Sequence, residues 1–75
     1  KDAKSRLQEW ALRQGLGLPV YRQLAKSGPD HAPEMTYEVV ITGAGFHSAS
    51  GSNRKIAEQK AAASLLARLQ ARDNN

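Results

Sequence analysis

The feature that most constrains this fold is the stretch from Arg54 to about Ala71, which has no glycine or proline and only good or neutral helix formers. Ser52 or Asn53, just before it, is a good N-cap. Apolar residues recur there with helical periodicity at Ala57, Ala61, Ala62, Leu65 and Leu69. Because the first half of this stripe is alanine, the helix can lie close to a β-sheet, and we predict that it packs against one.

An earlier helix is predicted over residues 2–14, where one apolar stripe comprises Ala3, Leu7, Trp10, Ala11 and Gln14. Asp2 can cap its start, because the carboxylate accepts from unpaired N–H groups and meets the positive end of the helix dipole. Gly15 and Gly17 are stop signals, and Pro19 prevents continuation.

Three strands are predicted between the helices. The first covers residues 20–27. The second covers residues 34–42 and alternates onto one face with Met35, Tyr37, Val39 and Ile41. The loop between them, residues 28–33, contains a glycine and two prolines, which do not fit inside a central strand or a helix. A tight turn at residues 43–45 leads into a shorter third strand over residues 46–50.

This order predicts an α+β fold, α-β-β-β-α, with two helices packed on one face of a three-stranded antiparallel sheet. The 75 residues suffice for one domain, 1–75, with a core of about residues 3–70. We expect residues 73–75 to fray at the end of the second helix. The first residue is Lys1 rather than Met, which indicates a fragment of a longer protein or a processed terminus.

Charge and composition narrow the functional classes. Lys and Arg total 11 against 7 Asp and Glu, a net charge of +4, so we expect a polyanionic partner. The absence of cysteine excludes a disulfide scaffold and a cysteine nucleophile, and it fits a reducing compartment such as the cytoplasm. No apolar run approaches the ~20 residues of a membrane span. The acids are scattered, and His31 and His47 lack a metal-ligand spacing, so we expect no catalysis, metal or cofactor in this chain.

Four stretches carry a resemblance to a known family. They are Ser5-Arg6-Leu7-Gln8-Glu9, Gly28-Pro29-Asp30-His31, Tyr37-Glu38-Val39 and Gly51-Ser52-Asn53-Arg54-Lys55-Ile56-Ala57-Glu58-Gln59-Lys60-Ala61-Ala62. In this order, on these elements, the chain resembles the double-stranded RNA-binding domain (dsRBD), most of all the version at the C-terminus of bacterial ribonuclease III. Members of that family read A-form RNA by shape. They contact two successive minor grooves and the phosphates across the major groove between them, over about 16 base pairs.

The resemblance implies three contact regions. Contact region 1 lies on the first helix and comprises Ser5, Gln8 and Glu9. Contact region 2 lies in the loop and comprises Gly28, Pro29 and His31. Contact region 3 lies at the start of the second helix and comprises Ser52, Asn53, Arg54 and Lys55. Regions 1 and 2 would exchange hydrogen bonds with 2′-hydroxyls in the two minor grooves, and region 3 would hold phosphates beside the helix N-terminus.

Each region also has an ordinary structural explanation. Ser5-x-x-Gln8 fits a capping box, and polar residues on an exposed helix face need no function. His31 fits a solvated loop histidine. Arg54 and Lys55 fit a solvated basic pair, although cations at a helix N-terminus are unfavourable without an anion, and this cost argues for a ligand.

The sequence departs from the family pattern at several positions. Glu58 stands where many members carry a third basic residue, which reduces the positive surface and predicts modest affinity for the isolated domain. Asn53 replaces a frequent serine and Ala49 a frequent glycine, neither of which disturbs the fold. Met35 replaces the usual phenylalanine at the end of the loop, an apolar exchange that would loosen the packing under His31.

The predicted function is the binding of double-stranded RNA by shape, to present it to a ribonuclease III catalytic domain that this sequence does not contain. The resemblance places the divalent metal in that catalytic domain and implies a homodimer formed through it. One alternative is a protein-interaction or dimerisation module of the same fold, and another is a dsRNA-binding protein that is not a nuclease. DNA binding ranks lower, since no recognition helix or zinc signature is visible. We expect no membrane partner.

Overall fold

The structure is a computed structural model and describes residues 1–74. Its elements are α1 (Ala3–Arg13), β1 (Val20–Ser27), β2 (Glu34–Ile41), β3 (Gly45–Gly51) and α2 (Arg54–Asp73). The strands form one antiparallel sheet in the order β1-β2-β3. The predicted α-β-β-β-α fold is confirmed, and the largest boundary difference is at the end of α2, which continues beyond Ala71.

Local signals set both ends of α1. Asp2 is the N-cap, and its carboxylate accepts the Ser5 N–H at 2.8 Å. At the other end Gly15 has a φ of +72°, and the N–H groups of Gly15 and Leu16 bond back to carbonyls of the last turn at 3.1 and 3.0 Å. This Schellman arrangement ends the helix and directs Leu16 onto the core.

The core lies between the helices and one face of the sheet. It is formed by Ala3, Leu7, Trp10, Ala11, Val39, Ile41, Ala61, Ala62, Leu65, Leu66 and Leu69. α2 packs against β2 and β3, and α1 packs against α2. The predicted stripe of α2 is buried throughout, whereas Gln14 is exposed, so the inclusion of Gln14 in the α1 stripe was wrong. Gln14 is the C-cap, where the helix has already ended.

The strand register decides which side chains face the helices. His47 pairs with Val39, a fully buried residue, so both side chains lie on the helix-facing side of the sheet. His47 is half-buried there. The opposite, open face carries polar pairs, including Arg22 Nε to Glu38 Oε1 at 2.9 Å.

A hydrogen bond to α1 holds the C-terminal end of α2. Asp73 is its last residue and Asn74 its C-cap, and the indole nitrogen of Trp10 donates to Asp73 Oδ2 at 3.1 Å. The expectation of fraying was therefore wrong for Asp73, it stays a prediction for Asn74, and Asn75 lies outside the described residues. Neither helix within residues 1–74 combines the length and apolarity needed to cross a membrane.

One close approach sets the position of the α2 N-terminus. Gly51 ends β3 opposite Met35, the second residue of β2. A Cβ on Gly51 would lie 2.8 Å from the backbone nitrogen of Ala57 and 2.7 Å from Cγ2 of Ile56. The glycine thus lets the first turn of α2 sit directly on the end of the sheet, at the same end as the β1–β2 loop.

Candidate nucleic-acid interface

Contact region 1 presents two exposed polar side chains one turn apart. Ser5 and Gln8 are exposed on α1, at i and i+3. The capping-box explanation of this pair is wrong, because Asp2 holds the N-cap position and Ser5 lies inside the helix. Glu9 is half-buried and forms an ion pair with Lys1. The hydrogen bond from Lys1 lowers the pKa of Glu9, so Glu9 is an acceptor with one partner already in place.

Contact region 3 is organised by the cap of α2. Asn53 is the N-cap, and its Oδ1 accepts the Ile56 N–H at 2.9 Å. The side-chain oxygen of Asn53 is therefore engaged, which leaves its amide NH₂ as the side-chain donor for a ligand. Arg54 and Lys55 follow in the first turn with exposed side chains. The guanidinium of Arg54 also lies 5.8 Å from the centroid of the Tyr37 ring.

The N-terminal ends of α1 and α2 meet along an open cleft of about 580 Å³, which we call the inter-helix cleft. On the α1 side it is lined by Asp2, Lys4, Ser5 and Gln8. On the α2 side it is lined by Arg54, Lys55, Glu58 and Gln59. Ser5 and Gln8 of region 1 and the two cations of region 3 therefore border one space. Within residues 1–74, Glu9, Ser52, Asn53 and region 2 are outside this lining.

Four residues of the cleft were not predicted as site residues from the sequence: Asp2, Lys4, Glu58 and Gln59. Glu58 is only 3% exposed, and it accepts from Lys4 Nζ at 2.7 Å and from Arg54 Nε at 3.0 Å. The i,i+4 spacing of Arg54 and Glu58 was a visible signal for one of these pairs. The pairing with Lys4 was not, because it joins two helices. Glu58 is thus a buried partner of two cations, and its charge still lowers the positive potential at the cleft.

Charge and burial perturb two groups beside the cleft. Burial alone would raise the pKa of Glu58, but the hydrogen bonds from Lys4 and Arg54 outweigh it and hold the pKa below the usual 4.5. Tyr21, on β1, lies next to Lys4, whose Nζ is 4.5 Å from the centroid of the Tyr21 ring. Burial, aided by the charge of Glu58, raises the pKa of Tyr21 to about 12.

Contact region 2 forms a compact turn. Gly28 has a φ of +85°, and a Cβ there would lie 2.6 Å from the carbonyl oxygen of Ala32. The Ala32 N–H donates to the carbonyl of Pro29 at 2.9 Å. His31 is exposed inside this turn. The predicted loop is therefore present, and it projects from the same end of the sheet as the start of α2.

These surfaces define a class of protein: a small two-layer α+β domain that presents a polar helix face and a basic helix N-terminus around one cleft, suited to a polyanion. Among residues 1–74, no group of three or more His, Asp or Glu side chains is placed to hold a metal ion. The chain matches the family model described as "Double-stranded RNA binding motif" over residues 3–69. It belongs to that family, and its function is the binding of double-stranded RNA.

Curated relatives and solved structures agree with this membership. The chain is 52% identical to "Ribonuclease 3" of Caulobacter vibrioides over 91% of its length, and 46% identical to "Ribonuclease 3" of Cereibacter sphaeroides over 99%. It spans 29% and 32% of those relatives. Among solved structures, the first dsRBD of protein HYL1 is 38% identical with a TM-score of 0.70, covering 93% of this chain and 97% of that one. The resemblance stated from the sequence is confirmed.

Proposed function

We propose that this chain holds duplex RNA through contact regions 1, 2 and 3, and that it serves a ribonuclease III catalytic domain in the same longer protein. The observation that carries the proposal is the inter-helix cleft, which Ser5 and Gln8 border together with Arg54 and Lys55. Hydroxyl and amide groups suit 2′-hydroxyls, and cations at a helix N-terminus suit phosphates. Both sets sit on helices packed against each other, so their spacing is constant and selects duplex shape rather than sequence.

The tethered nuclease rests on the relatives. The chain is similar over nearly its whole length to proteins called "Ribonuclease 3" and spans about a third of each. We assign the cutting, its divalent metal and any homodimer contact to the remainder of such a protein, and the capture of substrate to this chain. Separate capture raises the local concentration of duplex at the catalytic part without any new contact there.

Binding experiments on this chain test the proposal directly. An RNA duplex of about 20 base pairs exceeds the length that family members span. It would be compared with the same sequence as DNA duplex and as single-stranded RNA, at two salt concentrations. We expect preference for the RNA duplex, weakened by salt because phosphate contacts release counterions. Equal binding to all three nucleic acids would mean that the chain binds them by non-specific charge attraction, and it would overturn the proposal.

Contact region 3 is tested by Arg54→Ala combined with Lys55→Ala. We expect weaker binding to every RNA duplex, and a salt dependence shallower by about two phosphate contacts. The matched control is Arg13→Ala combined with Arg68→Ala, which removes the same charge from exposed positions away from the cleft. If both double variants weaken binding equally, the phosphate contacts are not localised at the start of α2.

Contact region 2 is tested by His31→Ala. The residue is exposed, so the free energy of unfolding is expected to stay within about 0.5 kcal/mol of wild type. Affinity for the RNA duplex should fall several-fold, by about the 1 kcal/mol of one hydrogen bond. An unchanged affinity for a duplex long enough to reach both minor grooves would remove His31 from the interface.

One observation favours a second candidate, a dimerisation module. Val20, Val40 and Phe46 align across the three strands on the open face of the sheet. Val20 and Phe46 are 63% and 66% exposed. If this row mediates association, wild type should dimerise at micromolar concentration in analytical ultracentrifugation and Phe46→Ser should abolish the dimer. A monomer at all concentrations excludes this candidate.

A further inference from the structure

We propose that Glu58 and Gln59 are positioning residues for RNA recognition: together they set the spacing between the minor-groove contacts of α1 and the phosphate contacts of α2. The inference rests on the proposed function, since it concerns how contact regions 1 and 3 reach the duplex together. It adds a role for two neighbouring side chains that do not themselves need to touch RNA.

The two side chains grip the first turn of α1 from α2. Gln59 Oε1 accepts the backbone N–H of Ala3 at 3.0 Å and that of Lys4 at 3.3 Å. These N–H groups belong to the helix start, where no carbonyl of α1 is available to them. Glu58 accepts from Lys4 Nζ at 2.7 Å. Three donors from the first two residues of α1 thus converge on adjacent residues of α2.

The same carboxylate also holds the phosphate-facing side. Its second oxygen accepts from Arg54 Nε at 3.0 Å, and the side chain of Glu58 is 4% exposed while that of Arg54 is 72% exposed. The carboxylate is therefore an internal brace, and the guanidinium extends from it to the surface. The bond from Nε to Glu58 orients the guanidinium of Arg54, whose remaining N–H groups are available to a phosphate.

The brace fixes a distance that matters to shape reading. Lys4 immediately precedes Ser5 of region 1, and Arg54 belongs to region 3. One buried carboxylate joins the two, so the minor-groove face and the phosphate face cannot slide relative to each other without breaking charged hydrogen bonds. Because A-form and B-form duplexes differ in the position of phosphates relative to the minor groove, a fixed spacing favours one of them.

Substituting Glu58→Gln separates this role from simple charge. The change removes a negative charge beside a polyanion site, so charge alone predicts tighter binding to any duplex. The positioning role predicts the opposite for RNA. We expect affinity for the RNA duplex to fall by about three- to tenfold, with DNA binding unchanged or tighter, so that the RNA-to-DNA preference shrinks.

Two further variants complete the design. Gln59→Leu changes no charge, and we expect it to reduce the RNA-to-DNA preference in the same direction. Glu38→Gln is the matched control, since it removes one ion-paired carboxylate from the open face of the sheet, and it should leave the preference unchanged. All binding would be measured below the thermal midpoint of each variant. If Glu58→Gln proves unfolded at the assay temperature, Gln59→Leu decides the question.

The outcomes are distinguishable. A wild-type chain without preference for the RNA duplex overturns the proposed function itself. If wild type prefers the RNA duplex and both Glu58→Gln and Gln59→Leu keep that preference, only the positioning role is overturned. The same holds if Glu58→Gln raises the affinity for RNA. A loss of affinity that is equal for RNA and DNA also overturns it, because a merely structural role would lower both alike.

Discussion

The indole nitrogen of Trp10 donates a hydrogen bond to Asp73 Oδ2 at 3.1 Å and thereby joins the C-terminal half of α1 to the last residue of α2. Trp10 is 7% exposed, so its N–H needs this acceptor. The bond explains why α2 stays helical as far as Asp73, where the sequence alone predicted fraying. It closes the helix pair at the end opposite the inter-helix cleft.

Asp73→Ala is predicted to lower the free energy of unfolding by about 1–2 kcal/mol, because it leaves the part-buried N–H of Trp10 without its partner. Trp10 is the single tryptophan, so its fluorescence reports the change directly. Asp73→Asn keeps an acceptor oxygen at the same place and should cost less than half as much. Equal stability of Asp73→Ala and wild type in urea titrations would show that the contact is not made in solution.

The lowered pKa of Glu58 predicts acid sensitivity. A carboxyl whose pKa is lower in the folded state adds stability that is complete above its unfolded pKa, near 4.5, and is lost as pH falls through the folded pKa. Wild type should therefore lose stability below about pH 4.5. Glu58→Gln should be less stable by about 1–3 kcal/mol at neutral pH, and its stability should depend less on pH in acid.

Some acid dependence should survive in Glu58→Gln. The pKa of Asp2 is lowered by the backbone hydrogen bond from Ser5, and that of Glu9 by the hydrogen bond from Lys1. Urea titrations of both proteins from pH 7 down to pH 3 would separate these contributions. Parallel pH profiles for wild type and Glu58→Gln would contradict the assignment of a lowered pKa to Glu58.

Tyr21→Phe is predicted to leave stability unchanged or to raise it by up to about 1 kcal/mol. Within residues 1–74 the buried hydroxyl of Tyr21 has no hydrogen-bond partner. Removing this hydroxyl from water on folding therefore costs free energy that no hydrogen bond in the folded state offsets. The matched control is Tyr37→Phe. The hydroxyl of Tyr37 donates to Gln23 Oε1 at 3.0 Å, so its removal should lower the free energy of unfolding by about 1 kcal/mol. The reverse order of stabilities would contradict the prediction.

The same residue predicts a loss of stability in alkali. The pKa of Tyr21 is raised from 10 in the unfolded chain to about 12 in the folded one. The contribution of the neutral Tyr21 side chain to folding stability is therefore complete below pH 10 and is lost as pH rises toward 12. Tyr21→Phe should not show this part of the decline. Absorbance titration of the tyrosinate band would give the pKa directly, and a value of about 10 for Tyr21 would refute the burial argument.

Gly51→Ala is predicted to destabilise the fold by about 1–3 kcal/mol, because the added methyl would meet the backbone of Ala57 at 2.8 Å. The shift needed would move the start of α2, so RNA affinity should fall as well. Gly17→Ala is the control, since its Cβ would have nothing within 4 Å, and it should be neutral or slightly stabilising. Equal stability of the two variants would mean that the strand end and the helix do not approach so closely.

The sequence by itself determined the elements and their order, since these follow from local chemistry. Asp2 and Asn53 cap helices with their own side chains, Gly15 and Gly28 adopt positive φ, and alternation in β2 selects the buried face. Such effects act over a few residues, so a reader of the sequence can find them. The contact regions came from matching motifs on these elements, and their assignment is still a prediction.

Only the tertiary structure decided which distant groups share a charge or a hydrogen bond. Lys4 meets Glu58, Gln59 caps α1 and Trp10 meets Asp73, across 54 to 63 residues of chain. No periodicity encodes such pairs, because they depend on the angle and register at which two helices settle on the sheet. Burial then sets their strength: the same carboxylate at position 58 would be a weak surface acid if exposed, and between two cations in the interior it becomes a brace.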